Sequence, residues 1–306
     1  MTDPAALDAS LVSINSETQI ALSVVLAMMM FAVALSLKPS DFAFLKTRPV
    51  MFAGGALTQI LGLPLLSLGL AALIAPTPSV ALGMIVVACC PGGNISNIFV
   101  MAARGNTAYS VSLTALSSAL AFLVTPVSIL FWASLYPPTA ALIGRIELEA
   151  GPFIIQVALL MAVPLAIGMT VSGVWPRFAA RIQPLFYTAS LVAIFVLVVL
   201  GLYGNWALLI GTGLIVLPVA IAHNAAAFGL GAVSGRVLRL DIPSRRALTF
   251  EIGIQNSGLG LVILLSQFQG LGGAAAVTAI WAVWHLIAGS TLASAFRLID
   301  RRGDRA

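Results

Sequence analysis

Residues Leu191 to Leu202 read LVAIFVLVVLGL, apolar in every direction around a helix and on both faces of a strand. A strand of a membrane barrel alternates apolar and polar residues over about ten positions, and a helix on a soluble protein keeps a polar stripe. This stretch does neither, so it is a helix enclosed by apolar matter. The rest of the chain has the same character. Of 306 residues, 60% are hydrophobic and 8% charged, where a soluble domain carries roughly a quarter charged residues; mean hydropathy is +1.07. Soluble, disordered and collagen-like chains are excluded, since Gly 27 and Pro 16 are close to average usage. About 20 apolar residues cross a bilayer as a helix. Apolar runs between charged or Pro/Gly punctuation give nine spans, at 19–37, 49–75, 78–103, 106–136, 151–174, 184–203, 206–234, 244–269 and 271–296. The fold expected is therefore an all-α polytopic membrane protein with nine transmembrane helices and the lipid bilayer as its solvent.

Lys and Arg total 15 against 10 Asp and Glu. In a soluble chain this would suggest nucleic acid, but position explains it without a nucleic-acid partner. If the N-terminus lies outside, every basic residue except Arg145 falls in an inside loop or the tail: Lys38 to Arg48, Arg104, Arg177 and Arg181, Arg236 to Arg246, and Arg297 to Arg305. The first 18 residues carry Asp3, Asp8 and Glu17 and no basic residue, which also argues against a cleaved signal peptide. By the positive-inside rule the N-terminus is extracytoplasmic and the C-terminus cytoplasmic, in a plasma or bacterial inner membrane. Cys89 and Cys90 are adjacent within an apolar run and read as small core residues rather than a disulfide or metal pair.

Two spans are interrupted at their middle. The third reads ALGMIVVACC, then Pro91-Gly92-Gly93, then NISNIFVMAA; the eighth carries Gly253, Asn256, Ser257 and Gly258 between apolar flanks. Five crossings separate them, and an odd offset reverses direction. The trios 49–136 and 206–296 each run long helix, broken helix, long helix, as expected of inverted-topology repeats whose broken helices meet near the bilayer midplane.

Glu251, beside the second break, is the one formal charge that must enter a span. A buried carboxylate there is protonated, paired with a cation, or facing water, and no Lys or Arg lies at its depth. The surrounding groups offer neutral oxygen: Ser96 and Asn97 after the first break, Gln255 and Asn256 at the second, Ser110 and Thr114 at i, i+4 on the fourth span, Gln59 on the second, and the backbone carbonyls of Ile252 and Ile254. One carboxylate among such oxygens suits a hard monovalent cation such as Na⁺, whereas Ca²⁺ gathers more carboxylates and soft metals require His or thiolate. Ser110 and Thr114 could also merely tie helices together. Half-helices starting after Gly93 and around Gly258 favour an anionic ligand near Asn94, Ile95 and Asn256. His223 and His285 could relay protons with Glu251 or simply bond across helices, and a Ser257–His285 pair lacks the orienting acid of a hydrolytic site.

CCPGGNISN at 89–97, ARGNTAYSVSLT at 103–114, EIGIQNSG at 251–258, VWH at 283–285 and SLKPSDF at 36–42 resemble the bile acid:sodium symporter family over residues 25–297. That resemblance implies a secondary transporter with crossed broken helices and two Na⁺ sites. One would use Ser96, Asn97, Ser110, Thr114 and Glu251; the other Gln59, Glu251, Gln255 and the carbonyls of Ile252 and Ile254. It implies a core domain of 45–136 with 206–297 moving against a panel domain of 19–40 with 150–203, flanked by an outer segment 1–18 and a tail 298–306. Substrate contacts would involve Asn94, Ile95, Asn256 and His285. The substrate would be an organic anion: bile-acid-like, pantoate-like or pyruvate-like, or sulfonated. Asn94-Ile95 stands where the family often has Thr-Ala, and Leu286 where Asn often follows the His. Two other functions compete with this reading: proton-coupled anion transport through Glu251 and His285, and an intramembrane enzyme. The sequence offers the enzyme neither paired aspartates nor a zinc-binding helix.

Overall fold

The computed structural model describes residue 8 and residues 16–203, 206–268 and 271–303. Most of the expected outer segment 1–18 and the last three residues of the tail lie outside these. Regular structure among the described residues is helical, apart from one isolated antiparallel bridge between Gly92 and Gln255. The helices of eight residues or more are α1 (Ser16–Ser36), α2 (Pro49–Ile74), α3 (Pro78–Ala88), α4 (Ile95–Ala102), α5 (Thr107–Ser134), α6 (Pro137–Arg145), α7 (Ala150–Val174), α8 (Pro176–Tyr203), α9 (Trp206–Val237), α10 (Ile242–Gly253), α11 (Ser257–Gln267) and α12 (Gly272–Gly303). Seven helices, α1, α2, α5, α7, α8, α9 and α12, contain stretches long and apolar enough to cross a membrane. The third and eighth expected spans are each divided in two, as α3 with α4 and α10 with α11.

The last helix, expected to end at 296, continues to Gly303, and three further features differ from the sequence reading. Residues 137–145 form a short helix where a polar connection was expected; two prolines at its start pre-set helical φ, and Thr139 and Leu142 are buried beneath it. α8 begins at Pro176 and runs through Pro184, since its first turns lie exposed with Arg177 and Arg181 at i, i+4. α2 holds a π-helical turn at Thr58–Gly62, in which the Leu63 N–H reaches the Thr58 carbonyl. Pro64 explains it, because its ring clashes with the carbonyl four residues back and the wider turn relieves that clash.

α1 packs chiefly on α7 and α8, forming one layer; α9 packs on α10 and α12, and α12 on α3. The two groups meet where α5 lies on α7 and α11 lies on α1. Met29, Phe153, Met161 and Phe268 fill that junction, while Phe52, Tyr109 and Phe250 fill a second cluster and Val80, Val216 and Trp281 a third. Ile155, Leu159, Leu185 and Phe195 point outward, as lipid contact requires.

Candidate functional site

Pro91 supplies no N–H and keeps Cys90 out of the helical region, so α3 stops and two glycines follow before α4. In the second break Asn256 starts α11 by accepting from the Leu259 N–H at 3.1 Å, a side-chain N-cap. The two interrupted segments then satisfy each other. Gly93 N donates to Ile254 O at 3.0 Å and Asn256 N to Pro91 O at 2.8 Å, which answers the requirement that backbone groups at membrane depth find partners within the protein. Gly92 N donates to Ser117 Oγ at 3.1 Å. Ser117, one of several serines along α5, thus holds the break, a role that only the chain path discloses.

Glu251 is fully buried at this crossing. Its Oε2 accepts from Ser96 Oγ at 2.8 Å and Ser110 Oγ at 3.0 Å, and its Oε1 from Thr114 Oγ1 at 2.8 Å. Two helices, α4 and α5, converge their hydroxyls on the one carboxylate of α10, and among the described residues no Lys or Arg pairs with it. The spacing of Ser110 and Thr114 puts both on one face of α5, as expected. Asn97 sits one residue beyond Ser96, and its buried Oδ1 has no hydrogen-bond partner. An orphaned buried acceptor on the residue after Ser96 is the kind of atom a cation satisfies.

On the other side of Glu251, the π-turn buries Gln59, whose Nε2 lies 3.4 Å from Gln255 Oε1. Gln255 Nε2 donates to the carbonyls of Glu251 at 2.9 Å and Ile252 at 3.0 Å. The carbonyls of Ile252 and Ile254 are therefore outside the helical ladder but not bare, since Ile254 O serves Gly93. Each keeps a second lone pair.

A profile of the Sodium Bile acid symporter family matches residues 23–212. The chain belongs to this family. It is 33% identical over 89% of its length, and 82% of the relative's, to the uncharacterized sodium-dependent transporter YocS of Bacillus subtilis. It is 28% identical to the probable sodium/metabolite cotransporter BASS1, chloroplastic, of Arabidopsis thaliana, covering 89% of this chain and 65% of that one. The human ileal sodium/bile acid cotransporter is 26% identical, over 81% of this chain and 69% of its own. All three names specify sodium. Membership of a sodium-dependent transporter family, with its apolar helices, makes the chain a multi-pass membrane protein, and these relatives are named as transporters and cotransporters.

The remaining candidates of this symporter-family chain are spread around the crossing. Asn94 precedes α4 without capping it through its side chain, and Asn94 and Ile95 are both half-buried. His285 Nδ1 lies 2.8 Å from Trp281 O. A carbonyl only accepts, so Nδ1 carries the proton and Nε2 of the neutral ring is an acceptor. Gly289, one turn on, packs on Ile254 and Phe99, so this face of α12 is turned to the crossing. Ser257 and His285 share no hydrogen bond, so the hydrolytic pair is not assembled. His223 is engaged with Ser67 Oγ at 2.6 Å, away from Glu251. Cys89 and Cys90 are free and buried at the end of α3.

Proposed function

We propose that this protein is a sodium-coupled symporter that imports an organic anion by alternating access, binding two Na⁺ at Glu251. The supporting observation is a carboxylate with no Lys or Arg partner among the described residues, ringed by Ser96, Ser110 and Thr114, with the unsatisfied Asn97 one residue beyond Ser96. On this reading one ion takes Ser96, Asn97, Ser110, Thr114 and Glu251. The second takes Gln59, Glu251, Gln255 and the carbonyls of Ile252 and Ile254, as the Gln255 amide turns its oxygen inward. Two ions are favoured energetically. Entering down about 100 mV and a tenfold gradient, two Na⁺ release about 7 kcal/mol, and a monovalent anion carried inward takes back about 2.3.

Nine crossings then follow, with α2 to α5 and α9 to α12 as inverted repeats joined at the Gly92–Gln255 bridge. Asn94, Ile95, Asn256 and His285 form the anion site. Because His285 presents an acceptor, the preferred anion carries a hydroxyl or N–H donor as well as its charge. The sodium-stimulated thermal midpoint of purified protein tests this reading. The midpoint should be higher in NaCl than in equimolar KCl or choline chloride, by an amount reflecting about 2.7 kcal/mol at a hundredfold excess over Kd. Hydroxylated organic anions should raise it further only with Na⁺ present. Equal midpoints in all three salts would overturn sodium coupling.

Burial supports an inward-open reading. α11 is buried along its length against α1, and Gln19 Nε2 of α1 donates to Ser266 O at 3.2 Å. α4 instead leaves Ile98 59% and Met101 66% exposed, at the end carrying Arg104. With the N-terminus outside, the site opens to the cytoplasm in this conformation. A cysteine at Ile98 should react with a membrane-impermeant thiol reagent in inside-out vesicles, against a low background from buried Cys89 and Cys90. Preferential reaction in right-side-out vesicles would reverse the orientation.

A further inference from the structure

α4 is only eight residues long, well below the length at which a helix holds itself together. Its position must be imposed at its ends. The N-terminal end is pinned at the crossing by Gly93 and Ile254. At the other end Arg104 adopts a left-handed φ of 53° and the Gly105 N–H closes back on Val100 O at 2.8 Å. There Ala103 O accepts from Arg246 Nη1 at 2.8 Å. The same guanidinium grips Asp300 at both oxygens, Nη1 to Oδ2 at 2.9 Å and Nη2 to Oδ1 at 2.5 Å, and lies 4.9 Å over the Phe296 ring. Asn106 adds a backbone bond to Pro243 O at 2.9 Å and a side-chain bond to Ser244 Oγ at 3.0 Å.

Arg246 therefore fastens three helices at one point: α10, which carries Glu251; α4, which carries Ser96 and Asn97; and α12, which carries His285. It lies on the helix of Glu251 but faces another way, and its charge is spent on Asp300 rather than on the buried carboxylate. A planar fork reaching a carboxylate and a carbonyl at once is a geometry lysine does not reproduce. We propose that Arg246 is a positioning residue for the sodium site, setting through Ala103 and Asp300 the placement of α4 that keeps Ser96 and Asn97 at Glu251. The proposal rests on the sodium reading, so its test has one arm that needs no sodium.

Arg246→Gln in the full chain is compared with the unaltered protein by hydrogen exchange in choline chloride and by the Na⁺ concentration giving half the thermal shift. Exchange across 95–106 should rise about tenfold, with 155–170 of α7 unchanged as the internal reference. Half-saturating Na⁺ should rise about three- to tenfold with the shift still present. Asp300→Asn, which leaves the bond to Ala103, should move both in the same direction by less, and Arg246→Lys should recover part of each. Should Arg246→Gln fail to fold, those two variants carry the comparison. Unchanged exchange over 95–106 would overturn the proposal, as would faster exchange with half-saturating Na⁺ within twofold of the unaltered protein. Absence of any sodium shift in the unaltered protein would refute sodium binding and, with it, this role for Arg246; the exchange arm would then report only whether the clamp holds α4.

Discussion

Glu251→Gln should eliminate the sodium-specific rise in thermal midpoint and the sodium-driven component of uptake, while the protein stays folded. The amide matches the carboxylate in shape, and its oxygen can still accept from hydroxyls of Ser96, Ser110 or Thr114, whose own oxygens can accept from the new NH₂. What disappears is the one negative charge among neutral oxygens. A cation moved from water into that buried site would then have no counter-charge to offset its desolvation, and losing one partner of a buried pair costs about 3–5 kcal/mol, at least a hundredfold in Na⁺ affinity. Without Na⁺ the variant should be at least as stable as the original, because no uncompensated carboxylate remains at the crossing, which is fully buried. Full sodium-dependent uptake by Glu251→Gln would show that the carboxylate is not the ion's partner. Loss of folding in choline would show that its hydrogen bonds, rather than its charge, sustain the crossing.

The legible part of this molecule is the part that membrane physics imposes. Apolar runs such as Leu191 to Leu202 must be helices, and Pro91-Gly92-Gly93 must end one, whatever the tertiary fold. Glu251 stood out because a charge within a span demands an explanation, and Ser110 and Thr114 because i, i+4 spacing fixes their common face. Contacts that close across the sequence were not legible. By sequence Ser117 is one more serine on an apolar helix, and only the chain path puts Gly92 N on its hydroxyl. Arg246 read as one more cytoplasmic cation, since the distance to Asp300 along the chain, 54 residues, says nothing of their meeting. The π-turn at Gln59 follows from Pro64, yet sequence alone allows a kink, a break or a wider turn there. Resemblance to a family supplied Gln59 where spacing only suggested it.

Gly92→Ala should strike the proposed sodium site directly with a single methyl. An added Cβ would overlap Glu251 Oε1 and lie 3.1 Å from both the Glu251 carboxyl carbon and Gln59 Nε2. The obstacle is space rather than backbone conformation, because Gly92 does not occupy the left-handed region. The backbone has nowhere to retreat: Gly93 N on Ile254 O and Asn256 N on Pro91 O pin it on both sides. The carboxylate, the one ligand that both proposed ions share, must therefore turn away from the hydroxyls of Ser96, Ser110 and Thr114. Overpacking of this kind costs about 1–3 kcal/mol, so the midpoint in choline should fall by several degrees and the sodium shift should vanish. Gly69→Ala is the matched control, since nothing lies within 4 Å of its Cβ, and it should be neutral or slightly stabilising in a helix. Combining Gly92→Ala with Glu251→Asp withdraws the carboxylate by one methylene from the added methyl. If steric contact is the cause, the double variant should recover part of the midpoint and a measurable sodium shift, and the two changes should be strongly non-additive. Simple additivity would mean that Gly92 is required for some reason other than its closeness to Glu251.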